Sequence, residues 1–517
     1  MSGDVFAAFP VDAIERIEVI RGPGSVLYGT NAFSSVINLV TKVSDENNAV
    51  VSALVGPDGG VGANGQGTIN LGDLRISLAG RYLDKSEQSV GLQTNNPADP
   101  ANPNNYVLNL KDKASSAFAD IQYKKLRGTF MQNAYETTHL NNIGNVFQNG
   151  GATNKYDRRY GNVGYNLAVT ENWDMDFNTT ASYHVFESDP TTAIKRRSTD
   201  AVAEWTNHIT LGESAQLVAG ALYNYNKGFS TVAGNVTSDL NRGALAMYTQ
   251  IDYWMLENLK LIAGFQANKV EDEDMEVLPR GGVVWYPVPK LSFKALYGQA
   301  YRAPTIYETG VNSPFLLGNT NLKPEEVSSI DFGINYQGNR FQLGVNYFNN
   351  KQTNIINFTT IPNTTRLTYD NLSEISFQGI EFEAKYYILN NLFFTGSALY
   401  QENVTGTDVW STTPISSFGA KAGLSYESTK GLTVSLFDIY QGDLGGVYKA
   451  TATTLNPADD HYNMLNLYAA LDFFKMFNVD KSYNASVFVQ ADNILDAKVW
   501  APASGSFSAT AYPLNAG

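Results

Sequence analysis

The segment Gly24-Ser-Val-Leu-Tyr-Gly29-Thr30 has the outline of a phosphate-binding loop, two spaced glycines and then a hydroxyl residue. The chemistry fails at one position: the lysine that must reach the phosphates is absent, and no parallel strand–helix–strand pattern follows. Metal chemistry has little to work with. The chain has no cysteine and therefore no thiolate site. Its four histidines, His139, His184, His208 and His461, are scattered, with His139 and His461 in segments that read as long polar loops. The acidic run Glu271-Asp-Glu-Asp-Met-Glu276 offers the hard oxygens that Ca²⁺ prefers, yet lacks the spaced loop and glycine of a dedicated site, so it reads as a solvated loop. No nucleophile–base–acid set is discernible, which argues against an enzyme. What remains are side chains suited to ion pairing and stacking. They are Arg16, Arg21, Glu325 and Glu381 on the one hand, and Tyr301, Arg302, Tyr307, Phe315 and Trp410 on the other.

The scaffold for these residues is written as alternation. From Asn48 onward the chain reads as strands of about ten residues. Ile330, Phe332, Ile334 and Tyr336 oppose Ser329, Asp331 and Asn335; Ile380, Phe382, Ala384 and Tyr386 oppose Glu381, Glu383 and Lys385. Leu74, Ile76, Leu78 and Tyr82 oppose Arg75, Ser77 and Arg81. Period two with one apolar face suits a sheet half-exposed to hydrocarbon, and equally a soluble sandwich with that face turned inward. Connection lengths separate the two. Tight turns at Gly72-Asp73, Lys124-Lys125, Glu257-Asn258 and Leu389-Asn390-Asn391 alternate with long polar connections around 84–113, 136–158, 186–200, 226–243, 302–324 and 402–415. Short turns at one end and long loops at the other are the asymmetry of a bacterial outer-membrane barrel. Tyr82, Tyr123, Trp254, Trp285, Tyr400 and Tyr426 stand near strand ends, as interfacial aromatic girdles require.

Composition agrees. The 517 residues include 44 Gly, 30 Tyr and 27 Phe, and no apolar run is long enough to span a bilayer as a helix. The formal net charge of −14 speaks against nucleic acid as a partner, since phosphate binding needs a basic stripe.

Three blocks at the start, Ile14-Glu-Arg-Ile-Glu-Val19, Arg21-Gly-Pro-Gly-Ser-Val-Leu-Tyr-Gly29 and Val36-Ile-Asn-Leu-Val-Thr-Lys42, resemble in order and spacing the second half of the plug of TonB-dependent outer-membrane receptors. Ser34-Ser35 departs from the small glycines usual there. Further blocks carry the resemblance across the chain: Tyr301-Arg-Ala-Pro304, Asn319-Thr-Asn-Leu-Lys-Pro-Glu325, Tyr369-Asp-Asn371 with Gly379-Ile-Glu381, and Asn493-Ile-Leu-Asp496. The resemblance implies an all-β protein: a transmembrane antiparallel β-barrel of about 22 strands, with an N-terminal plug-domain fragment in its lumen. Residues 1–47 are the expected plug piece and 48–517 the barrel. It also implies a TonB box, a first half of the plug, a signal peptide and a last barrel strand beyond the given ends. The expected setting is the outer membrane of a Gram-negative bacterium, among lipid and lipopolysaccharide, with the TonB–ExbB–ExbD complex as energy source and no cofactor.

Within that frame, strand parity turns Glu325 and Glu381 into the lumen. A carboxylate held against a packed plug needs an arginine partner. Arg16 and Arg21 are therefore expected to pair with Glu325 and Glu381 as a plug–barrel lock. Tyr301, Arg302, Tyr307, Phe315 and Trp410 are the candidate ligand contacts, the aromatics suited to stack on a catecholate or a corrin. The expected function is TonB-driven import of a scarce bulky nutrient, with a ferric siderophore first and cobalamin next. Haem is disfavoured because 305–318 lacks histidine. A passive porin-like channel and a secreted β-rich hydrolase are the alternatives.

Overall fold

A computed structural model of the chain describes residues 9–22, 35–42, 44–56, 59–85, 87–94, 104–141, 147–188, 193–403, 416–442, 461–479, 484–497, 499–502 and 511–513. Alternation sets the architecture. Among the described residues, 21 strands from Asn48–Val55 round to Ser486–Ala491 form a closed ring. Closure leaves no unpaired strand edge, the one solution that satisfies every backbone group in hydrocarbon without helices. The apolar parity of each strand points out of the ring: Phe332 is 53% exposed, and Ile330, Ile334, Ile380, Phe382 and Leu78 are likewise exposed. The opposite parity is covered, with Ser329 at 1%. An apolar belt of this extent is stable against lipid and aggregates in water. No helix among the described residues is long and apolar enough to cross a membrane, so the crossing is made by strands.

The turns fall where expected, between Leu71 and Leu74, Tyr123 and Leu126, Leu256 and Leu259, and Leu389 and Leu392. The long connections differ in kind. Segment 226–243 is the continuation of two long strands, Ala215–Val232 and Asn235–Leu256, joined by Ala233-Gly234. Segment 136–158 continues Leu126–Asn141 and Phe147–Thr170, and 84–113 holds a small hairpin, Gln88–Thr94 with Asn104–Leu110. Above the membrane both faces of a ladder meet water, so pairing persists while the apolar alternation that announces it disappears. On the short-turn end, the connection after Tyr462–Asp472 carries the helix Phe473–Phe477, capped by the Asp472 side chain.

Inside the ring lies a hairpin, Ile14–Arg21 paired antiparallel with Ser35–Thr41. Ala13 packs on Ala79 and Phe118 of one wall. A Cβ on Gly22 would stand 3.4 Å from Asp331 Oδ2 and 3.6 Å from Ser329 Oγ on the other. Leu74–Asp84 and Glu325–Gln337, the strands so touched, have ten strands between them one way round the ring and nine the other. The hairpin therefore crosses the lumen. Gly22 has φ +78°, a conformation natural to glycine and costly for any other residue, while the space beside it would admit a Cβ in ordinary contact. Ile17, Val19 and Ile37 share an exposed apolar face that nothing among the described residues covers.

Candidate functional site

The segment between strands Leu291–Arg302 and Glu325–Gln337 folds inward as a strap, and the sequence blocks noted above fasten it. Thr305 caps the helix Ile306–Gly310: its Oγ1 accepts from Glu308 N (3.1 Å) and its own N–H donates to Glu308 Oε2 (2.6 Å). This reciprocal cap fixes a one-turn helix that could not persist alone. Arg302 grips the same Glu308 with two nitrogens, at 3.0 and 3.2 Å, and donates through Nε to Glu325 Oε2 at 2.7 Å. Glu325 is 6% exposed, and its other oxygen accepts from Ile356 N at 2.8 Å. Arg242 Nη2 donates to Pro304 O at 2.6 Å. At the far end Asn319 Nδ2 donates to Tyr369 O (2.9 Å), while the Asn371 side chain accepts from Lys323 N at its Oδ1 (2.8 Å) and donates to Lys323 O through its Nδ2 (3.0 Å). Val311, Leu322, Ile356 and Tyr369 form the small core beneath, with Tyr307 and Leu316 against it. Blocks far apart in sequence are thus one fastening.

Gly310 is where this helix meets the wall. A Cβ there would run into Leu240 Cδ1. Replacing Gly310 by valine is expected to cost about 1–3 kcal/mol as strap and wall part. Faster hydrogen exchange over 303–324 with an unchanged ring would report it, and unaltered exchange would argue against close contact.

Above the plug, strand register lines up a second constellation on the lumen face. Tyr135, Tyr156, Phe186 and Arg196 stand directly opposite one another on successive strands. The Tyr135 and Tyr156 rings stack at 6.1 Å, and Tyr156 meets Phe186 at 5.1 Å and His184 at 6.3 Å. The Arg158 guanidinium lies 5.8 Å from the Tyr156 ring. Arg196 lies 6.0 Å from Phe186 and 4.6 Å from the Tyr307 ring, and donates through Nη2 to Tyr307 OH at 3.2 Å. Cations held over ring faces form a wall that attracts anionic, planar groups.

The expected site residues are distributed as follows. Glu325 faces the lumen as parity required, but its partner is Arg302, its cross-strand neighbour, rather than a plug arginine. Arg16 donates to Glu18 on its own strand at 2.7 Å. The Asn38 amide, which donates to Glu18 at 2.8 Å, and then Arg16 hold the Glu18 carboxyl below its ordinary range. The structure therefore does not join Arg16 to Glu325. Arg21 ends its strand one residue before Gly22, the residue that approaches Ser329 and Asp331; the Arg21 side chain lies outside the described residues, so a lock between the plug arginines and Glu381 stays a proposal. Tyr301 is buried among Val270 and Leu278, and Arg302 is held by Glu308 and Glu325; a contact of either with ligand stays a proposal. Tyr307 joins the arginine–aromatic wall, Phe315 is 71% exposed, and Trp410 lies outside the described residues. Tyr156, Arg158, Phe186 and Arg196 were not singled out from sequence; His184 was read only as a scattered histidine, and Tyr135, expected in the interfacial girdle, stands instead in this lumen row. Carrying lumen parity through 136–158 and 186–200, instead of reading loops, would have found them.

A closed barrel with a hairpin across its lumen defines a plugged outer-membrane barrel. The sequence matches the family described as TonB dependent receptor-like, beta-barrel over residues 105–494, and the TonB-dependent Receptor Plug Domain over residues 2–36. The chain belongs to the TonB-dependent receptor family, whose members are non-enzymatic outer-membrane transporters. It is 23% identical over 413 residues to the vitamin B12 transporter BtuB of Vibrio cholerae, covering 74% of this chain and 61% of that protein. It thus spans about three fifths of the length of that curated relative. The ferric enterobactin receptor PfeA of Pseudomonas aeruginosa superposes with a TM-score of 0.78 at 16% identity, covering 98% of this chain and 84% of that one. The FrpB iron transporter of Neisseria meningitidis gives 0.74 at 14% identity, covering 98% and 86%.

Proposed function

We propose that the protein carrying this chain imports a bulky anionic metal chelate, a ferric siderophore, across the outer membrane in a TonB-driven cycle. The observation that carries the reading is the arginine–aromatic wall facing the lumen above the plug: Arg196 on Tyr307 and Phe186, Arg158 on Tyr156. Aryl rings of a catecholate chelate would stack on Tyr156 and Tyr307, while its negative charge would sit against the two guanidiniums. The strap and the crossing hairpin obstruct free diffusion, which disfavours a passive pore, and the barrel has no energy source of its own. Work must come from outside, through TonB and its inner-membrane partners. Cobalamin is the second reading, favoured by the named function of the Vibrio relatives.

Growth of an iron-starved, receptor-deficient strain expressing the protein tests the proposal. Ferric catecholate should restore growth only when TonB is present. Rescue without TonB, or by cobalamin supply alone, would overturn it.

A further inference from the structure

The short-turn end of the ring has one connection unlike its neighbours. The turns Gly72-Asp73, Lys124-Lys125, Glu171-Asn172, Glu257-Asn258, Asn390-Asn391 and Ser428-Thr-Lys-Gly431 are brief and built of glycine, polar and charged residues. The connection between Tyr462–Asp472 and Ser486–Ala491 is longer and opens with the helix Phe473-Phe-Lys-Met-Phe477. Phe477 is 67% exposed, and Met476 and Val479 are exposed beside it. Local bonds fix how this segment leaves the ring. The buried Asp472 side chain accepts from Lys475 N at 3.0 Å, and Phe473 N donates to Ala485 O at 2.9 Å. Asn478 ends the helix at φ +54°, and Val479 N donates to Phe474 O at 2.9 Å. The neighbouring turn lies against it: a Cβ on Gly431 would stand 2.7 Å from Asp472 O and 3.0 Å from Lys475 Cβ. The helix is thus folded sideways along the rim.

We infer that this helix is an interfacial foot, with Met476, Phe477 and Val479 set into the inner-leaflet surface of the outer membrane at the boundary of headgroups and acyl chains. Continuity with the lipid-facing belt selects the occupant. Leu432, Leu471 and Val487 are paired side by side on successive strands as the lowest row of the outward parity, and Val487 is 57% exposed. The helix begins two residues beyond Leu471, and the intervening Asp472 has the opposite parity, so the surface already given to lipid runs on into Met476 and Phe477. Residue type selects it too. A connection bathed in water has no use for three exposed large apolar side chains, and the polar turns on the same rim show what such a position ordinarily carries. Phenylalanine and methionine can enter the boundary while the exposed Lys475 keeps its ammonium among headgroups. The foot is independent of the cargo, because it belongs to the rim and uses none of the residues of the lumen wall.

The chain has no cysteine, so one introduced cysteine is a unique labelling site. Nitroxide is attached to M476C, F477C and V479C in separate samples of the whole receptor, reconstituted in liposomes of phosphatidylethanolamine and phosphatidylglycerol. Collision of each label with oxygen, which concentrates in lipid, is compared with collision with a water-soluble nickel chelate. V487C marks the belt, and K430C marks the exposed tip of the neighbouring turn. The three foot labels should meet oxygen several-fold more often than nickel, as V487C does, and K430C should show the reverse. Nickel-dominated collision at any of the three would overturn the inference, since it would place the helix in water. Protection from both reagents would also overturn it, by burying the helix against protein. So would spin–spin broadening, which would mark a second copy of the chain on this face. Heat-modifiable gel mobility confirms that each variant is folded.

Discussion

Arg302→Ala is expected to release the strap. Arg302 ties Glu325 to Glu308, two carboxylates whose side chains are only 7% and 15% exposed. Removing the cation leaves two carboxylates facing each other in a poorly hydrated corner, and orphaning a buried pair in this way costs about 3–5 kcal/mol. The ring does not depend on the fastening, since its ladders continue on either side of it. The expected result is fast hydrogen exchange and new protease cleavage within 303–324, with heat-modifiable mobility retained. Glu325→Gln should be milder, because the amide oxygen still accepts from Ile356 N and Arg302 keeps Glu308. Protection of the strap in Arg302→Ala at the wild-type level would refute the fastening.

The second expected result concerns the lumen wall. Arg196→Ala should weaken binding of ferric catecholate by about tenfold to a hundredfold, the range for losing one well-placed arginine anchor. Arg196→Lys should fall between, keeping the charge but losing the planar stack on Tyr307. Tyr307→Phe removes only the hydrogen bond and should cost little. Intrinsic fluorescence quenching on titration reads all three. An Arg196→Ala protein that binds like wild type would show that the wall does not touch ligand.

These residues also show what was legible in the sequence. The ring was, because hydrocarbon demands an uninterrupted apolar parity and Ile330–Phe332–Ile334 or Ile380–Phe382 display it without help. The plug was, through blocks that a hairpin crossing a lumen needs: apolar alternation at Ile17 and Val19, and a glycine at 22, where the chain takes a positive φ beside Asp331. The pairing of Glu325 was half legible. Parity gave its direction, but its partner depended on the register between Leu291–Arg302 and Glu325–Gln337, which sequence does not set when 22 residues of strap intervene. The arginine–aromatic wall was hidden for a different reason. Above the membrane Tyr156, Arg158, His184 and Arg196 sit in polar stretches that look like loop, because water on both faces erases the alternation while backbone pairing continues. The block Tyr301-Arg-Ala-Pro304 holds the strap, through Arg302 on Glu308 and Glu325 and through Pro304 O on Arg242, a role that its residue types alone did not announce.

The most direct test is an equilibrium titration of the purified receptor, in detergent, with ferric catecholate and with cyanocobalamin in parallel. Binding of the anionic chelate at least tenfold tighter than cyanocobalamin, weakened by added salt and by Arg196→Ala, is the result the lumen geometry requires. Tighter binding of cyanocobalamin, indifferent to both salt and Arg196, would contradict it.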